Sequence, residues 1–155
     1  TTAIKINPDE ANAYVNRGLA YDNLGKHQEA IDDYNTAIKI NPNEANAYYN
    51  RGLAYYHLGK HQDAIDDNTT AIKINPDYAD AYYNRGLAYY HLGNYQEAIA
   101  DYTTAIKINP DDADAYVNRG ISKAYLSIDC CRDFKRACEL GNESGCRNFK
   151  IVNCH

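Results

Sequence analysis

The sequence predicts an all-α solenoid, a run of antiparallel helix pairs stacked side by side, and three observations carry that prediction. Pro8, Pro42, Pro76 and Pro110 stand 34 residues apart, and most residues between them recur at the same interval. Each interval holds two apolar patterns of helical period. A glycine separates the two patterns, and an Asn-Pro step ends the second. A period of about 20–50 residues marks an array whose units bury their apolar faces only against one another.

The first whole unit, residues 11–44, shows how each element is specified. Tyr14, Gly18 and Tyr21, with Ala20 and Leu24 beside them, form one face of a first helix. Gly25 ends it at the place where a left-handed cap is usual, and Gly59 and Gly93 repeat that place. In the second helix Ala30, Tyr34 and Ala37 make a stripe that Ile31 and Ile38 widen, with Asp32, Asp33, Asn35 and Lys39 expected outward. Asn43 and Glu44 are expected to cap the next helix. Gly18, Gly52, Gly86 and Gly120 lie inside first helices, where glycine costs about 1 kcal/mol relative to Ala. Close helix approach explains them: with Ala30, Ala64 and Ala98 they let paired helices touch nearly backbone to backbone, while Tyr14 and Tyr34 fill the gap to the next unit.

The boundaries that follow are 1–10 as the tail of a preceding repeat, 11–44, 45–78 and 79–112 as whole repeats, 113–142 as a divergent fourth and 143–155 as a cysteine-containing cap. In the fourth, Phe134 and Ala137 keep the spacing of Tyr102 and Ala105, so 129–140 is expected as its second helix after a shortened turn. Residues 143–153 then form the closing helix. Asn68 occupies the slot of Tyr34, Tyr102 and Phe134, which makes the second repeat the soft one.

Composition excludes several function classes. A net charge of -5 with Lys and Arg scattered among Asp and Glu argues against nucleic acid and against a polybasic membrane patch. No apolar run approaches about 18 residues, so no membrane insertion is expected. Residues 1–8, TTAIKINP, duplicate 69–76 and 103–110, so the chain reads as a fragment cut in mid-repeat.

The pattern Tyr-x-x-Arg-Gly-x-x-Tyr, then Ala-x-x-x-Tyr, Ala and Pro resembles the tetratricopeptide repeat. Two departures recur: Tyr14, Tyr48, Tyr82 and Tyr116 stand where the family often has Trp, and Arg17, Arg51, Arg85 and Arg119 where it often has Leu. The resemblance implies a right-handed superhelix whose first helices line a concave wall, and therefore a binding site on their non-core face. By phase that face carries Asn12, Val15, Asn16, Leu19, Asp22 and Asn23, then Asn46, Tyr49, Asn50, Leu53, Tyr56 and His57. Asp80, Tyr83, Asn84, Leu87, Tyr90 and His91 follow, then Asp114, Val117, Asn118 and Ile121.

Asn16, Asn50, Asn84 and Asn118 form a ladder of amides that both donate and accept, which suits the main chain of an extended peptide. Tyr49, Tyr56, Tyr83 and Tyr90 add rigid apolar area with a polar tip. The bland reading is that the amides bond to neighbouring helices and the rings only shield the wall. Many members of the family hold acidic chaperone tails through Lys, Asn and Arg on this wall. Here Val15, Tyr49 and Tyr83 stand at the clamp Lys places, Leu19 and Leu53 at its Asn places, and Asp80 and Asp114 are acidic. The expected partner is a neutral or basic extended peptide and not such a tail.

Other chemistry has little support. His57 and His61 are split by Gly59, and neither they nor His91 have a Glu or Cys in a ligand pattern, so no metal is expected. Asp32-Asp33 and Asp66-Asp67 read as solvated carboxylates and not as an acid-base pair. No nucleophile, phosphate-loop or dinucleotide motif is present, and neither an enzyme nor a cofactor is expected.

All five cysteines lie in the last 26 residues. The run RDFKRACELGNESGC resembles cysteine-rich Sel-like repeats of exported bacterial proteins, and that resemblance implies a Cys138–Cys146 bridge. Cys131 and Cys154 follow as a second rung and Cys130 stays free; the alternatives are buried reduced thiols or, less well patterned, zinc. Bridged cysteines would imply an exported or periplasmic protein, reduced ones a cytoplasmic protein. The sequence thus points to a non-enzymatic scaffold holding an extended segment of a partner. The rival is self-association through exposed repeat ends, the N-terminal half-repeat above all.

Overall fold

The computed structural model describes residues 8–152. Among them lie helices α1 (Pro8–Asn23), α2 (His27–Ile40), α3 (Ala45–His57), α4 (His61–Ile74), α5 (Ala79–His91), α6 (Tyr95–Ile108), α7 (Ala113–Tyr125), α8 (Cys131–Glu139) and α9 (Glu143–Ile151), with no strand. The chain divides into two compact units, Thr1–Pro76 and Asp77–His155. In the first, α1 packs on α2, α2 on α3 and α3 on α4; in the second, each of α5 to α9 packs on the next.

The turns form as the glycines predict. Gly25, Gly59 and Gly93 have φ of 72°, 73° and 78°, a conformation that a side chain disfavours. Ser127 holds the corresponding place after α7 at φ 57°. The helix starts differ in detail from expectation. α1 begins at Pro8, ahead of the predicted repeat start at Ala11, because proline at the first helical position loses no hydrogen bond. Residues 1–7 of the predicted tail lie outside the described residues. Asn43 does not cap α3: its N–H donates to Asn41 Oδ1 at 3.2 Å, and the N-cap residue Glu44 makes no side-chain bond.

The interior glycines admit rings and not a neighbouring backbone. A Cβ on Gly18 would lie 2.6 Å from the Tyr34 ring, on Gly86 2.8 Å from that of Tyr102, and on Gly120 2.6 Å from that of Phe134. Tyr34, Tyr102 and Phe134 are accordingly buried over the glycines of their own helix pairs, and Tyr34 also shares a core cluster with Ala47 and Ala54 of the next repeat. Ala30, Ala64 and Ala98 are fully buried in the second helices. Opposite Gly52 stands Asn68, also fully buried, whose Nδ2 donates to Ala64 O at 2.8 Å while its Oδ1 has no partner. That orphaned acceptor carries a desolvation cost of about 1–3 kcal/mol.

The fourth helix pair is shortened in its helix, not in its turn. α8 has 9 residues against 14 in α2, α4 and α6, and five residues separate it from α7 where three separate α1 from α2. Its first turn is the part that is lost, since Phe134 is its fourth residue while Tyr102 is the eighth of α6.

Candidate peptide-binding face

The recurring arginines are fastened before they can serve a groove. Arg17 Nε and Nη2 donate to Asp33 at 2.6 Å each, Arg51 to Asp67 at 2.7 and 2.6 Å, and Arg85 to Asp101 at 2.7 Å each. Arg119 repeats the fork to Asp133 at 3.1 and 2.6 Å. Each guanidinium also lies over the tyrosine three residues earlier, 5.2 to 5.6 Å from the ring centre. Asp33 and Asp67 are buried, which corrects their reading as solvated carboxylates; Asp32 and Asp66 are the exposed members of those pairs.

Burial pushes the Asp67 and Asp101 carboxyls above the usual carboxylate range, against the pull of Arg51 and Arg85. Burial also opposes the Arg51 charge, but the bond and charge of Asp67 outweigh it and raise the guanidinium. The two-pronged geometry keeps both partners ionised, and the desolvation cost leaves the pair a small net gain but a large penalty if broken. The third donor reaches onward: Arg51 Nη1 to Asn35 Oδ1 at 2.6 Å, and Arg119 Nη1 to Thr103 Oγ1 at 3.1 Å. One residue type thus ties first helix, second helix and preceding helix together.

With the arginines so placed, the first helices turn their remaining face outward. In the first unit Asn16 is exposed and Asn50 is 8 % exposed; in the second Asn84 is 7 % exposed and Asn118 half-buried. Asn118 donates to Tyr83 Oη at 2.8 Å, the neighbour-bonding the bland reading foresaw. Among the described residues the side chains of Asn50 and Asn84 find no hydrogen-bond partner. Their amide atoms keep a little solvent access and so present only a polar tip. Tyr49 and Tyr83 are half-buried, while Asp80 and Asp114 are exposed. Val15 and Val117 are buried in the core, so they leave the predicted row of wall residues.

The turn edge of this face is aromatic. Tyr56 meets His57 and His61 with ring centres 5.8 and 5.4 Å apart, and exposed His57 stacks on His27 at 5.0 Å. His27 is itself held by Asp22, 2.8 Å away, which also accepts from Tyr34 Oη at 3.1 Å. In the second unit Tyr95 and Tyr125 take the equivalent stacked places at 4.6 Å. Tyr90 stands edge-on to Tyr125 at 5.8 Å, and exposed His91 packs on Tyr90 at 5.6 Å. Tyr56, Tyr90, His57 and His91 therefore form clusters at helix ends, apart from the amide row. Among the described residues no group of His, Cys, Asp or Glu is placed to hold a metal ion.

Sequence reasoning expected a closing helix over 143–153 but assigned none of its residues to the binding face; the structure has α9 at Glu143–Ile151. Asn142 caps it by accepting from Gly145 N at 2.9 Å, as Asp112 caps α7 from Ala115 N at 3.0 Å. Aligning the two caps puts Asn148 in the row of Asn118 and Arg147 in the row of Val117. The shared polar cap followed by nine helical residues was the available signal. Tyr83, Asp114, Asn118, Ser144, Arg147 and Asn148 line a cavity of about 510 Å³. Cys138 and Cys146 meet at a Cα–Cα distance of 4.4 Å with their sulfurs in bonding range, so the predicted pair is disulfide-capable. Cys130 is free and buried, and the pairing expected for Cys131 involves Cys154, which lies outside the described residues.

Comparison with known proteins agrees with this architecture. The tetratricopeptide repeat pattern matches residues 45–78 and 79–112, and related repeat patterns match 23–59 and 1–32. No curated relative matches the sequence. Among solved structures, a crystal structure of MamA is 30 % identical over 90 % of this chain and 82 % of its own, with a TM-score of 0.82. The first repeat domain of Spaghetti (RPAP3), bound to the HSP90 peptide SRMEEVD, is 29 % identical over 81 % and 99 %, with a TM-score of 0.79. The second repeat domain of human RPAP3, in complex with the HSP70 peptide SGPTIEEVD, is 30 % identical over 76 % and 98 %, with a TM-score of 0.73. The 34-residue period, the glycine-seated rings and these likenesses together make the chain a member of the tetratricopeptide repeat family.

Proposed function

We infer that the first-helix face of each unit holds an extended segment of a partner protein, its main chain bonded to the amides there, Asn16 and Asn50 in the first unit and Asn84 and Asn118 in the second. The observation that carries this reading is the state of Asn50 and Asn84: both residues are more than nine-tenths buried, yet their side-chain amides pair with no described residue and keep a little solvent access. A passing peptide backbone offers such an amide tip a donor and an acceptor in place of water. Two of the similar solved structures hold peptides, which supports a protein-interaction role. Along the repeats the wall is aromatic, amide and acidic at Tyr49, Tyr83, Asp80 and Asp114, so a run of partner carboxylates is disfavoured and a neutral or basic segment favoured.

The test is capture of peptides from a random extended library by the parent chain and by an Asn50→Ala, Asn84→Ala double variant. The parent should retain a set of sequences that the variant holds about tenfold or more weakly, since two main-chain bonds are lost. Equal retention by both would remove the amide row from the site.

A second reading rests on α1. Arg17 is 59 % exposed where Arg51 is 19 %, and an open cavity of about 320 Å³ lies over Glu10, Ala13, Tyr14 and Arg17. A helix from a second copy seated there would supply the acceptor that Asn35 gives Arg51. Concentration-dependent mass in solution, abolished by Tyr14→Glu, would favour this reading; a monomer at all concentrations would end it.

A further inference from the structure

We propose that α9 is a binding element and not only a cap: Arg147 and Asn148 take an acidic residue of the partner segment, and the Cys138–Cys146 pair governs whether that site exists. The proposal rests on the peptide-holding reading of the first-helix face. Three observations carry it.

The first is register. α9 follows α8 in the chain and also packs on α7, and its cap aligns with that of α7, so Asn148 extends the amide row beyond the repeats. Arg147 is exposed and makes no ion pair among the described residues, whereas Arg17, Arg51, Arg85 and Arg119 are each fastened to an aspartate. It is therefore a cation free to meet a ligand on this face.

The second is shape and charge. Arg147 and Asn148 line the 510 Å³ cavity with Asn118 and Ser144, all of which can donate to a carboxylate. Asp114 also lines that cavity; Asn142 Nδ2 donates to it at 2.7 Å, which orients the carboxylate and leaves its charge, so Arg147 is the group that offsets it. Farther along the rim Asp80, Asp111 and Asp112 are unfavourable to a second carboxylate. The occupant is thus a segment with one acidic residue at α9 and neutral or basic residues toward Asp80.

The third is attachment. A helix of 9 residues is far below the roughly 12–15 at which an isolated helix holds together, so α9 depends on its tether. Gly145 seats it: a Cβ there would fall 2.5 Å from that of Ala137 and 3.0 Å from Cys138 N. Cys146 is next in the chain to Gly145 and to Arg147, so the bridge fixes the very turn that presents the guanidinium. Reduction by a dithiol transfers two electrons and two protons to the two sulfurs, breaks their bond and leaves the reductant as its own disulfide. With the tether open, α9 keeps its cap, the Gly145 contact and its packing on α7 and α8, but the turn that presents Arg147 is no longer fixed at Cys146.

The experiment uses the full chain, oxidised and after dithiothreitol, with three libraries of amidated decapeptides in which Glu, Gln or Lys is fixed at one position. The oxidised chain should prefer one fixed-Glu register, and Arg147→Gln should weaken that register about fivefold while leaving fixed-Gln peptides unchanged, the scale of one partly exposed ion pair. Dithiothreitol, or Cys138→Ser with Cys146→Ser, should reproduce the Arg147→Gln loss with helical circular dichroism kept above nine-tenths of the parent by about that margin. Fixed-Glu preference that survives both reduction and Arg147→Gln overturns the proposal but leaves the face intact as a peptide site. Loss on reduction with no effect of Arg147→Gln also overturns it. No binding of any library by the oxidised chain overturns the peptide-holding reading as well.

Discussion

The two units are written in nearly the same repeat, yet they fill the space over their interior glycines differently. In the second unit Tyr102 sits on Gly86 and Phe134 on Gly120, both rings fully packed or nearly so. In the first, Tyr34 sits on Gly18, but Gly52 faces Asn68, an amide with one bond made and one acceptor unpaired. The comparison teaches that glycine and ring are one device. Where the ring is missing the glycine keeps its helix cost and makes room only for an amide, whose Nδ2 would lie 2.7 Å from an added Cβ. The first unit also lacks any cysteine, while the second carries the disulfide-capable pair Cys138 and Cys146 between its last helices. Stability should therefore rise from the first unit to the second, and native-state hydrogen exchange should find α3 and α4 opening more readily than α5 and α6.

The largest change that would alter this comparison is Tyr102→Ala. Removal of a fully buried ring costs about 3–5 kcal/mol, and chemical denaturation should show the second unit falling to or below the first. A loss under about 1 kcal/mol would mean that the ring over Gly86 contributes little.

Next in size are the ion pairs. Arg51→Ala leaves Asp67 buried and unpaired, for about 3 kcal/mol, whereas Arg119→Ala costs less because Lys123, 2.8 Å from Asp133, still pairs with it. Arg17→Ala should cost clearly less, because Arg17 is 59 % exposed and water can replace it. Equal losses at the three arginines would show that burial of the aspartate alone sets the effect.

Asn68→Tyr tests the same comparison from the other side. If the space over Gly52 accepts a ring as the space over Gly86 does, the variant should gain about 1–2 kcal/mol and slow the exchange of α4 amides. Destabilisation would show that the pair has closed around the smaller side chain.

The smallest effect is alkaline. Burial, with a bond to Tyr125, pushes the Tyr90 phenol up to about 12 from 10.0. A raised folded value means stability that is present below about pH 10 and is lost as pH rises towards 12. Between those limits the parent should lose more stability than Tyr90→Phe, measured by urea denaturation at each pH.

The fold was legible because its signals are local and periodic: Gly25, Gly59 and Gly93 end helices, and Pro42, Pro76 and Pro110 mark turns. The weakness at Asn68 was legible for the same reason, as a break in a period. The ion pairs were not read, although Arg17 and Asp33, Arg51 and Asp67, and Arg85 and Asp101 are each 16 residues apart. Helical phase within one element calls Asp33 outward, and only the partner helix makes that direction an interior one. Val15 misled in the reverse sense, since packing on Ala47 and Ala54 of the next repeat takes it from the wall into the core. Arg147 escaped notice because α9 carries no Arg-Gly or Tyr-x-x-Tyr signature; its place in the row comes from the Asn142 cap and the contact at Gly145.

The central claim is that buried, unpaired Asn50 and Asn84 await a peptide main chain. The direct measurement is nuclear magnetic resonance of side-chain amide groups during addition of a peptide selected by the parent chain. The account predicts that the Asn50 and Asn84 NH2 signals shift downfield and become protected from exchange, while exposed Asn43 stays unchanged. Saturable binding that leaves both signals where they were would contradict it.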